Sequence, residues 1–281
     1  MSLVYPLILK ISIYILQNFP PFSTSNKMGS DEAFFHYSII SYLLIGPPTY
    51  ISCRYITAPY GKHHRKGWGP TVPPSLAWFL MESPTLWFTL LLFPLGQNSS
   101  NPKSLILISP FILHYFHRTV LYPLRLRKKP SNGYPISVAL IAFVYNLFNS
   151  YLQARWVSEY ADYDTDNWFW WRFCGGLVVF LCGMVVNVRS DMELLRLKEG
   201  GGGYKIPRGG LFEYVSCANY FGEIVEWSGW WLMTGSWVGL GFLLYTCANL
   251  VPRARANHMW YLEKFGEDYP KKRKIVIPFV Y

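Results

Sequence analysis

The stretch of sequence that decides the fold is LAWFLMESPTLWFTLLLFPLG, residues 76–96. It is long enough to cross the hydrocarbon core of a bilayer as an α-helix, which takes about 20 mostly apolar residues. Glu82 is the only charged side chain between Lys66 and Lys103. A carboxylate at membrane depth is costly unless it is paired, protonated or facing a polar cavity. Glu82 therefore predicts a functional site inside the membrane.

The composition of the whole chain is that of a membrane protein. The 281 residues are 51% hydrophobic, 19% aromatic and 15% charged, whereas soluble domains carry roughly 25% charged residues. The net charge of +10 is divided among short basic segments between apolar runs. That distribution is typical of orientation signals and not of a nucleic-acid-binding face. The five cysteines show no metal-ligand spacing, so we predict that they are reduced packing residues.

Seven apolar runs predict seven transmembrane helices. The runs lie at residues 34–56, 76–96, 104–123, 136–154, 170–188, 211–227 and 229–251. The sixth run carries Glu213, Glu223 and Glu226, so it must face the protein interior or a wet cavity if it spans at all. The first, third and fifth connections and the C-terminal tail are basic. By the positive-inside rule this places the C-terminus in the cytosol and the N-terminus in the lumen.

We predict a single all-α domain over residues 28–281, preceded by an N-terminal extension, residues 1–27, to which we assign no function. The apolar run of the extension, residues 3–16, is interrupted by Lys10 and is short for a span. It also lacks the features of a secretory signal. The glycine tract at 200–203 does not follow a strand, which argues against a Rossmann nucleotide site.

Polar residues in or beside the third span are the next candidates for chemistry. Tyr115 lies one span away from Glu82, and a Glu–Tyr pair in an apolar pocket can bind and polarise a carbonyl oxygen. His114 and His117 are neighbours on a helix. No third ligand accompanies them, so we predict no metal site.

Polar pairs also occur in the fifth and sixth spans. Asn187 and Asp191 share a helix face, and so do Asn219 and Glu223. An ordinary helix end explains the first pair about as well as hydrogen bonds to a nucleotide do. Carboxylates and an amide at membrane depth favour function for the second pair. Basic side chains suited to a phosphorylated cofactor lie on the predicted cytosolic side, namely Arg118, Lys198, Arg208 and Arg253.

These stretches together resemble the steroid 5α-reductase family. The segments that carry the resemblance are APYGKH (58–63), WFLMESP (78–84), HYFHRT (114–119), NVRSD (187–191), IPRGGLFEYVSCANYFGEIVEW (206–227), PRARANHMWYLEKF (252–265) and EDYPKKRKIVIPFVY (267–281). The resemblance covers most of the chain after Met28. Within the family the chain is most similar to the plant branch, the reductase of brassinosteroid synthesis.

The resemblance implies seven helices in the endoplasmic reticulum membrane that enclose a cavity, with NADPH bound on the cytosolic side. It also implies reduction of the 4,5 double bond of 3-oxo-Δ4 steroids, with campest-4-en-3-one as the plant substrate. Glu82 and Tyr115 match the pair that grips the C3 carbonyl, and Trp78 and Phe79 would line the sterol pocket. The residues implied to bind the cofactor are Arg118, Asn187, Asp191, Lys198, Tyr204, Asn219, Glu223, Arg253, His258 and Tyr261.

Two positions depart from the family pattern. Lys198 stands near where relatives have an arginine, so the charge is kept but the bidentate geometry is lost. Asn257 occupies a position where some relatives have histidine.

In the implied reaction a hydride attacks C5 and negative charge develops on the C3 oxygen. Glu82 and Tyr115 must be hydrogen-bond donors to stabilise that oxygen, so we hypothesise that Glu82 is protonated. The residues do not identify the source of the proton for C4. We expect the sterol to enter from the lipid bilayer between helices, and we expect a monomer that binds no nucleic acid.

Other functions stay open on the sequence alone. A reductase of the same fold that acts on very-long-chain enoyl-CoA or on polyprenol would also use NADPH. An isoprenylcysteine-type methyltransferase is more distant, since a methyl donor needs no carbonyl grip. A membrane transporter would show repeated halves, and the sequence has no internal repeat. Quenching of tryptophan fluorescence by NADPH distinguishes a reductase from a transporter.

Overall fold

The structure, a computed structural model, describes residues 29–126, 133–199 and 203–281, and most of these residues are helical. The α-helices are α1 (Ser30–Leu44), α2 (Gly46–Tyr55), α3 (Pro74–Leu92), α4 (Pro102–Phe116), α5 (Tyr122–Leu126), α6 (Ile136–Arg155), α7 (Phe169–Glu199), α8 (Ala218–Thr234) and α9 (Trp237–Phe265). The predicted extension, residues 1–27, and most of the glycine tract lie outside the described residues.

Short irregular elements complete the architecture. Two π-helical turns, His117–Leu121 and Trp156–Tyr160, continue α4 and α6. Strands β1 (Thr71–Val72) and β2 (Tyr134–Pro135) pair antiparallel and join the segments that lead into α3 and α6. The strand pair therefore fixes the starts of these two helices beside each other.

Four helical stretches of the described chain are long and apolar enough to cross a membrane. They are Pro74–Leu95, Pro102–Leu126, Ile136–Tyr160 and Phe169–Lys198. Large apolar side chains such as Leu91, Ile141 and Val178 are more than half exposed on their outer faces, as expected where lipid covers the protein. The prediction of an all-α membrane protein is confirmed to this extent, and the count of seven spans stays a prediction.

The first predicted run, 34–56, forms two helices rather than one. Ile45 separates α1 from α2, and Pro47 and Pro48 lie in the first turn of α2. Proline has no N–H to donate to the carbonyl four residues earlier, so the hydrogen-bond ladder of α1 ends here. The first turn of a new helix tolerates proline because its N–H groups lack helical partners anyway.

The sixth predicted run, 211–227, is α-helical only from Ala218 onwards. The backbone of Tyr214 and Ser216 bonds instead to Lys274: Lys274 N–H donates to the Tyr214 carbonyl at 2.8 Å, and Ser216 N–H donates to the Lys274 carbonyl at 2.9 Å. The predicted position of the sixth helix is therefore wrong at its start, because a distant segment takes the backbone groups that a helix would use.

Helices α7 and α8 pack backbone to backbone along a seam of glycines. The seam consists of Gly176 and Gly183 on α7 and Gly222 and Gly229 on α8. A Cβ atom at Gly183 would meet the backbone of Glu226, and one at Gly222 would meet the backbone of Asn187. Small residues allow this close approach of membrane helices. The seam brings the polar end of α7 directly against the first turns of α8.

The core between the helices is mainly aromatic. Trp227 and Trp230 of α8, Phe111 of α4 and Phe180 of α7 are fully buried. Phe111 lies 5.3 Å from Trp230 and Phe180 lies 6.0 Å from Trp227, measured between ring centroids. These rings hold α4, α7 and α8 together around the polar interior.

Candidate active site

Glu82 lies in the middle of α3, two residues before Pro84. Because Pro84 has no N–H, the Leu80 carbonyl lacks its helical partner, and the Ser83 hydroxyl donates to it at 3.3 Å. The Glu82 carboxyl is half-buried, and Asn146 Nδ2 of α6 donates to its Oε2 atom at 3.4 Å. Glu82 therefore contacts another helix of the bundle.

Tyr115 is buried in α4, where its ring stacks on Trp227 with centroids 5.8 Å apart. Its hydroxyl oxygen accepts a hydrogen bond from Asn149 Nδ2 at 3.3 Å. Within the described residues no hydrogen bond joins Tyr115 directly to Glu82. The two residues are connected through α6 instead, since Asn146 and Asn149 lie one turn apart on it.

The asparagines of α6 are functional candidates that the sequence analysis missed. Asn146, Asn149 and Gln153 are all buried and follow a spacing of i, i+3 and i+7, which is one helix face. That spacing within an apolar run was the available signal. We call Glu82, Tyr115, Asn146 and Asn149 the amide cluster.

The residues predicted to bind the cofactor inside the bundle surround Arg118. The Arg118 guanidinium forms a buried ion pair with Asp191 at 3.0 Å, and Asn219 donates to the other Asp191 oxygen at 2.9 Å. Asn187 donates to the Asn219 carbonyl at 3.0 Å and to Glu223 Oε2 at 3.4 Å. We call these five residues the ionic cluster.

The two clusters adjoin at α3. The Arg118 guanidinium lies over the Trp78 ring, 4.4 Å from its centroid, and over Tyr122 at 5.0 Å. Trp78 and Glu82 share a face of α3 because they are four residues apart. Trp78, predicted to line the sterol pocket, thus contacts the ionic cluster, whereas Phe79 is 47% exposed on the outer face.

His114 and His117 contact different side chains. His114 Nδ1 lies 2.7 Å from Glu226 Oε1, and both residues are buried. His117 Nε2 lies 3.3 Å from the Arg125 guanidinium. No group of three or more histidine, cysteine or acidic side chains that could hold a metal occurs in the described part of the chain.

Further predicted cofactor residues lie at the end of α9. The Lys62 ammonium lies 3.9 Å from the Tyr261 ring centroid and 5.1 Å from that of Trp260, and the half-exposed Tyr204 packs on Trp260 at 5.0 Å. Burial lowers the pKa of Lys62 to about 8. Lys62 was not among the predicted site residues, although its contact with the Tyr261 ring places it beside one of them.

Arg253 lies on α9 between these residues and the ionic cluster. Its guanidinium lies 5.1 Å from the Tyr60 ring and 5.8 Å from the Tyr220 ring, and it donates to Asn249 at 3.0 Å. Tyr220 directly follows Asn219 in the sequence. Arg253 therefore contacts the chain neighbour of a residue of the ionic cluster.

His258 and Lys198 complete the predicted set. His258 Nδ1 lies 2.5 Å from the Ser216 hydroxyl, which Tyr269 also contacts at 2.7 Å, and burial lowers the pKa of His258. Lys198 is exposed in the last turn of α7. Asn257, the second departure from the family pattern, contacts His63 through its Oδ1 atom, which lies 3.0 Å from His63 Nε2.

Two surface clefts open away from the clusters. One, of about 200 Å³, is lined by residues around Trp68, and the other, of about 340 Å³, by residues around Trp260. Neither is lined by Glu82, Tyr115 or Arg118. The cavity that the sequence led us to expect between the helices therefore stays a prediction.

The fold and the polar side chains in its interior indicate the class of protein. Helices long enough to span a membrane surround a carboxyl, a phenol and a buried ion pair, and polar groups at that depth mark a functional site within a membrane protein. Residues 132–281 match the family model described as 3-oxo-5-alpha-steroid 4-dehydrogenase. The chain belongs to this family.

Individual relatives are similar to this chain over most of its length. It is 64% identical over 258 residues to a steroid 5-alpha-reductase DET2 of Gossypium hirsutum, covering 90% of this chain and all of the relative. It is 60% identical to that of Arabidopsis thaliana, covering 90% and 98%. It is 41% identical to 3-oxo-5-alpha-steroid 4-dehydrogenase 1 of Homo sapiens, covering 84% and 92%. The predicted family is confirmed, and with it the prediction of an enzyme, an oxidoreductase.

Proposed function

We propose that this protein reduces the 4,5 double bond of a 3-oxo-Δ4 steroid to the 5α-steroid, with NADPH as reductant. The observation that carries the proposal is that one face of α6 contacts both Glu82, through Asn146, and Tyr115, through Asn149. The steroid 5-alpha-reductase relatives support the reaction. The similarity to the plant branch supports campest-4-en-3-one as the substrate.

Glu82 and Tyr115 act on the C3 oxygen of the steroid. Negative charge develops on that oxygen as the double bond is reduced, and preorganised donors stabilise it. Asn146 donates to Glu82 Oε2, so a proton on Oε1 is available to the substrate. The Tyr115 phenol supplies the second donor. Neither residue needs to carry charge before the reaction.

The residues that would hold the cofactor form two sets. Asn187, Asp191, Asn219 and Glu223 offer amide and carboxylate groups to hydroxyls and to a carboxamide. When bound, NADPH supplies the hydride for C5. Phosphates would be held by Arg118, Lys198, Tyr204, Arg253, His258 and Tyr261.

Arg253 supports the assignment of the second set to an anion. In the described part of the chain its guanidinium contacts two rings and an amide oxygen but no carboxylate. A half-buried cation without a counter-charge is suited to a phosphate.

The site's depth suggests where the protein works. We place it in the endoplasmic reticulum membrane as a seven-span monomer, with the N-terminus in the lumen and the C-terminus in the cytosol. The basic connections support this orientation. A carboxyl inside the bundle is reached by a steroid that arrives from the bilayer, whereas the cofactor arrives from the cytosol.

Product analysis tests the proposal directly. Microsomes that contain the protein are incubated with NADPH and campest-4-en-3-one, progesterone or testosterone. We expect a 5α-reduced product, and a fall of roughly 10²-fold or more in Glu82→Ala, as for loss of an oxyanion-hole donor. Glu263→Ala, which removes an exposed glutamate, serves as the matched control. If the wild type reduces none of the three steroids, the proposal fails and an enoyl-CoA becomes the next substrate.

Glu82→Gln tests whether the proton on Glu82 is required. Glutamine keeps a donor N–H but is a weaker donor than a carboxylic acid. We expect turnover to fall by about tenfold or more, though less than in Glu82→Ala. Near-normal turnover of Glu82→Gln would contradict the hypothesis of a required proton.

A further inference from the structure

The hydrogen bonds that lead to Tyr115 begin at Trp230 and run in one direction. The indole N–H of Trp230 is a donor only, and it lies 2.9 Å from Gln153 Oε1. The atom that it contacts must be an acceptor, which fixes the orientation of the Gln153 amide. Gln153 Nε2 then donates to Asn149 Oδ1 at 3.1 Å and to the Val238 carbonyl at 3.4 Å.

A second donor reaches the same Asn149 oxygen. The Tyr42 hydroxyl donates to Asn149 Oδ1 at 2.8 Å. Because a phenol has one proton, the 2.8 Å bond between Tyr42 and Tyr145 has Tyr145 as its donor. Two donors thus occupy Oδ1 and fix the Asn149 amide with Nδ2 toward Tyr115.

The fixed direction of the Asn149 amide determines which way the Tyr115 hydroxyl can donate. Its oxygen accepts from Asn149 Nδ2 at 3.3 Å, so its own proton points away from that bond. No hydrogen bond donated by this hydroxyl is found among residues 29–126, 133–199 and 203–281. The buried phenol is therefore held as a donor without an acceptor, an arrangement that a carbonyl oxygen completes.

We propose that Asn149 is a positioning residue that aims the Tyr115 proton at the C3 oxygen of the substrate. Asn149 acts through Tyr115, to which its amide donates. Gln153, Tyr42 and Trp230 set the direction of its amide, and all four residues are fully buried. The inference rests on the proposed function, because it takes Tyr115 to be a donor to a carbonyl.

Asn149→Asp tests the direction of the bond with little change of shape. The introduced carboxyl still accepts from Tyr42 and Gln153, and these two donors favour its charged form. A carboxylate cannot donate to Tyr115. The Tyr115 proton then turns to the carboxylate and is withdrawn from the substrate. In acid the introduced carboxyl gains a proton, and that proton can take over the donation to Tyr115.

We expect kcat of Asn149→Asp at neutral pH to fall by about 10- to 100-fold, with KM changed less than about threefold. Relative to the wild type measured at the same pH, the activity of Asn149→Asp should recover as the pH is lowered. In a Tyr115→Phe background, where no phenol proton exists, Asn149→Asp should change the residual rate by less than about threefold.

The matched control is Ser150→Ala. Ser150 is buried on the same helix, and its hydroxyl donates to the Asn146 carbonyl at 2.6 Å, so its loss perturbs α6 without reaching the Asn149 amide. We expect near-wild-type kinetics. If Asn149→Asp does not accumulate in membranes, Gln153→Glu replaces it. That variant removes one donor to Asn149 Oδ1, so kcat should fall less, and again only where Tyr115 is present.

A merely structural role for Asn149 predicts different results. Equal falls with and without the Tyr115 hydroxyl, or a rise of KM with unchanged kcat, would overturn the inference while the proposed function stands.

An infrared measurement keeps the two proposals separable. The C–O stretch of Tyr115 is isolated as the difference between the protein and Tyr115→Phe, without turnover. If Asn149 donates to Tyr115, Asn149→Asp shifts this band, and an unchanged band overturns the inference. Absence of 5α product from the wild type overturns the proposed function. A shifted band would then assign Asn149 to positioning Tyr115 for another carbonyl substrate.

Discussion

The amide cluster and the ionic cluster adjoin at α3 but are held by different interactions. In the amide cluster, neutral side chains of α6 donate to Glu82 and Tyr115 at 3.4 and 3.3 Å. In the ionic cluster, a buried guanidinium and a buried carboxylate pair at 3.0 Å. Removing one partner of a buried ion pair leaves an uncompensated charge, whereas a lost amide bond leaves a neutral group.

The difference matches the charge of the ligand that each cluster would take. A steroid is neutral and acquires charge on its C3 oxygen only during the reaction, so neutral donors suit it. A phosphorylated cofactor carries both permanent negative charge and hydroxyl groups, so it suits a cluster in which Arg118 offers a cation while Asp191 and Glu223 offer acceptors. The comparison predicts that the two clusters respond differently to equivalent truncations.

The largest expected effect is that of Asp191→Ala. It leaves the Arg118 guanidinium buried without its carboxylate, which costs about 3–5 kcal/mol. Asn146→Ala on the amide side should cost about 1–3 kcal/mol, because only neutral groups lose a partner. Denaturation in detergent, followed by tryptophan fluorescence, measures both free energies of unfolding. Asp268→Ala, at an exposed aspartate, is the control, and equal losses at Asp191 and Asn146 would remove the distinction between the clusters.

A glycine substitution should disturb the ionic cluster while sparing the amide cluster. Gly183→Ala places a methyl group against the backbone of α8 at Glu226, so we expect a loss of about 1–3 kcal/mol from overpacking. The affinity for NADPH, read from tryptophan quenching, should weaken as well, because α7 and α8 carry Asn187 and Asn219.

Gly175→Ala is the matched control for this substitution. It lies on the same helix, and a Cβ atom there meets nothing within 4 Å. Alanine in place of a helical glycine should then stabilise by roughly 0.5–1 kcal/mol. Similar losses in both variants would show that the seam does not determine the packing of α7 against α8.

The contrast between the clusters also explains how much the sequence could predict. Glu82 stood out because a lone charge in an apolar run is visible in one dimension. The five residues of the ionic cluster were assigned to one ligand from the resemblance, and the structure brings them together. Asn149 was missed because an amide interrupts an apolar run only slightly. The direction of its bonds depends on Tyr42 and Trp230, which lie on other helices.

Long-range backbone bonds set a second limit on sequence-based prediction. The apolar pattern of 211–227 favours a helix throughout, yet the structure begins α8 at Ala218. The competing partner, Lys274, lies some sixty residues later in the chain. No local pattern encodes that pairing, so the boundary of the helix was beyond a sequence-based prediction.

Lys62 can be compared with Arg118, because within the described chain it contacts aromatic rings but forms no ion pair with a carboxylate. Arg118 lies over Trp78 and also pairs with Asp191, whereas the ion pairs of the described chain do not include Lys62. Burial lowers the pKa of Lys62 from 10.5 to about 8. Between about pH 8 and 10.5 the unfolded chain therefore keeps a proton that the folded protein has released, so the contribution of Lys62 to stability rises with pH across that window.

The smallest expected effect follows from this shift. The Tm of the wild type minus that of Lys62→Met should rise between pH 8 and 10.5. We expect a rise of only a few degrees, because Lys62 is partly exposed and solvent reduces the free energy that the shift represents. Lys264→Met, at an exposed lysine on α9, should show no such rise. A Tm difference that stays constant with pH would mean that Lys62 titrates alike in the folded and unfolded chains. In that case the Lys62 ammonium would stay hydrated beside the rings of Trp260 and Tyr261. Lys62 and Arg118 would then differ in where they lie in the fold and not in how burial affects their charge.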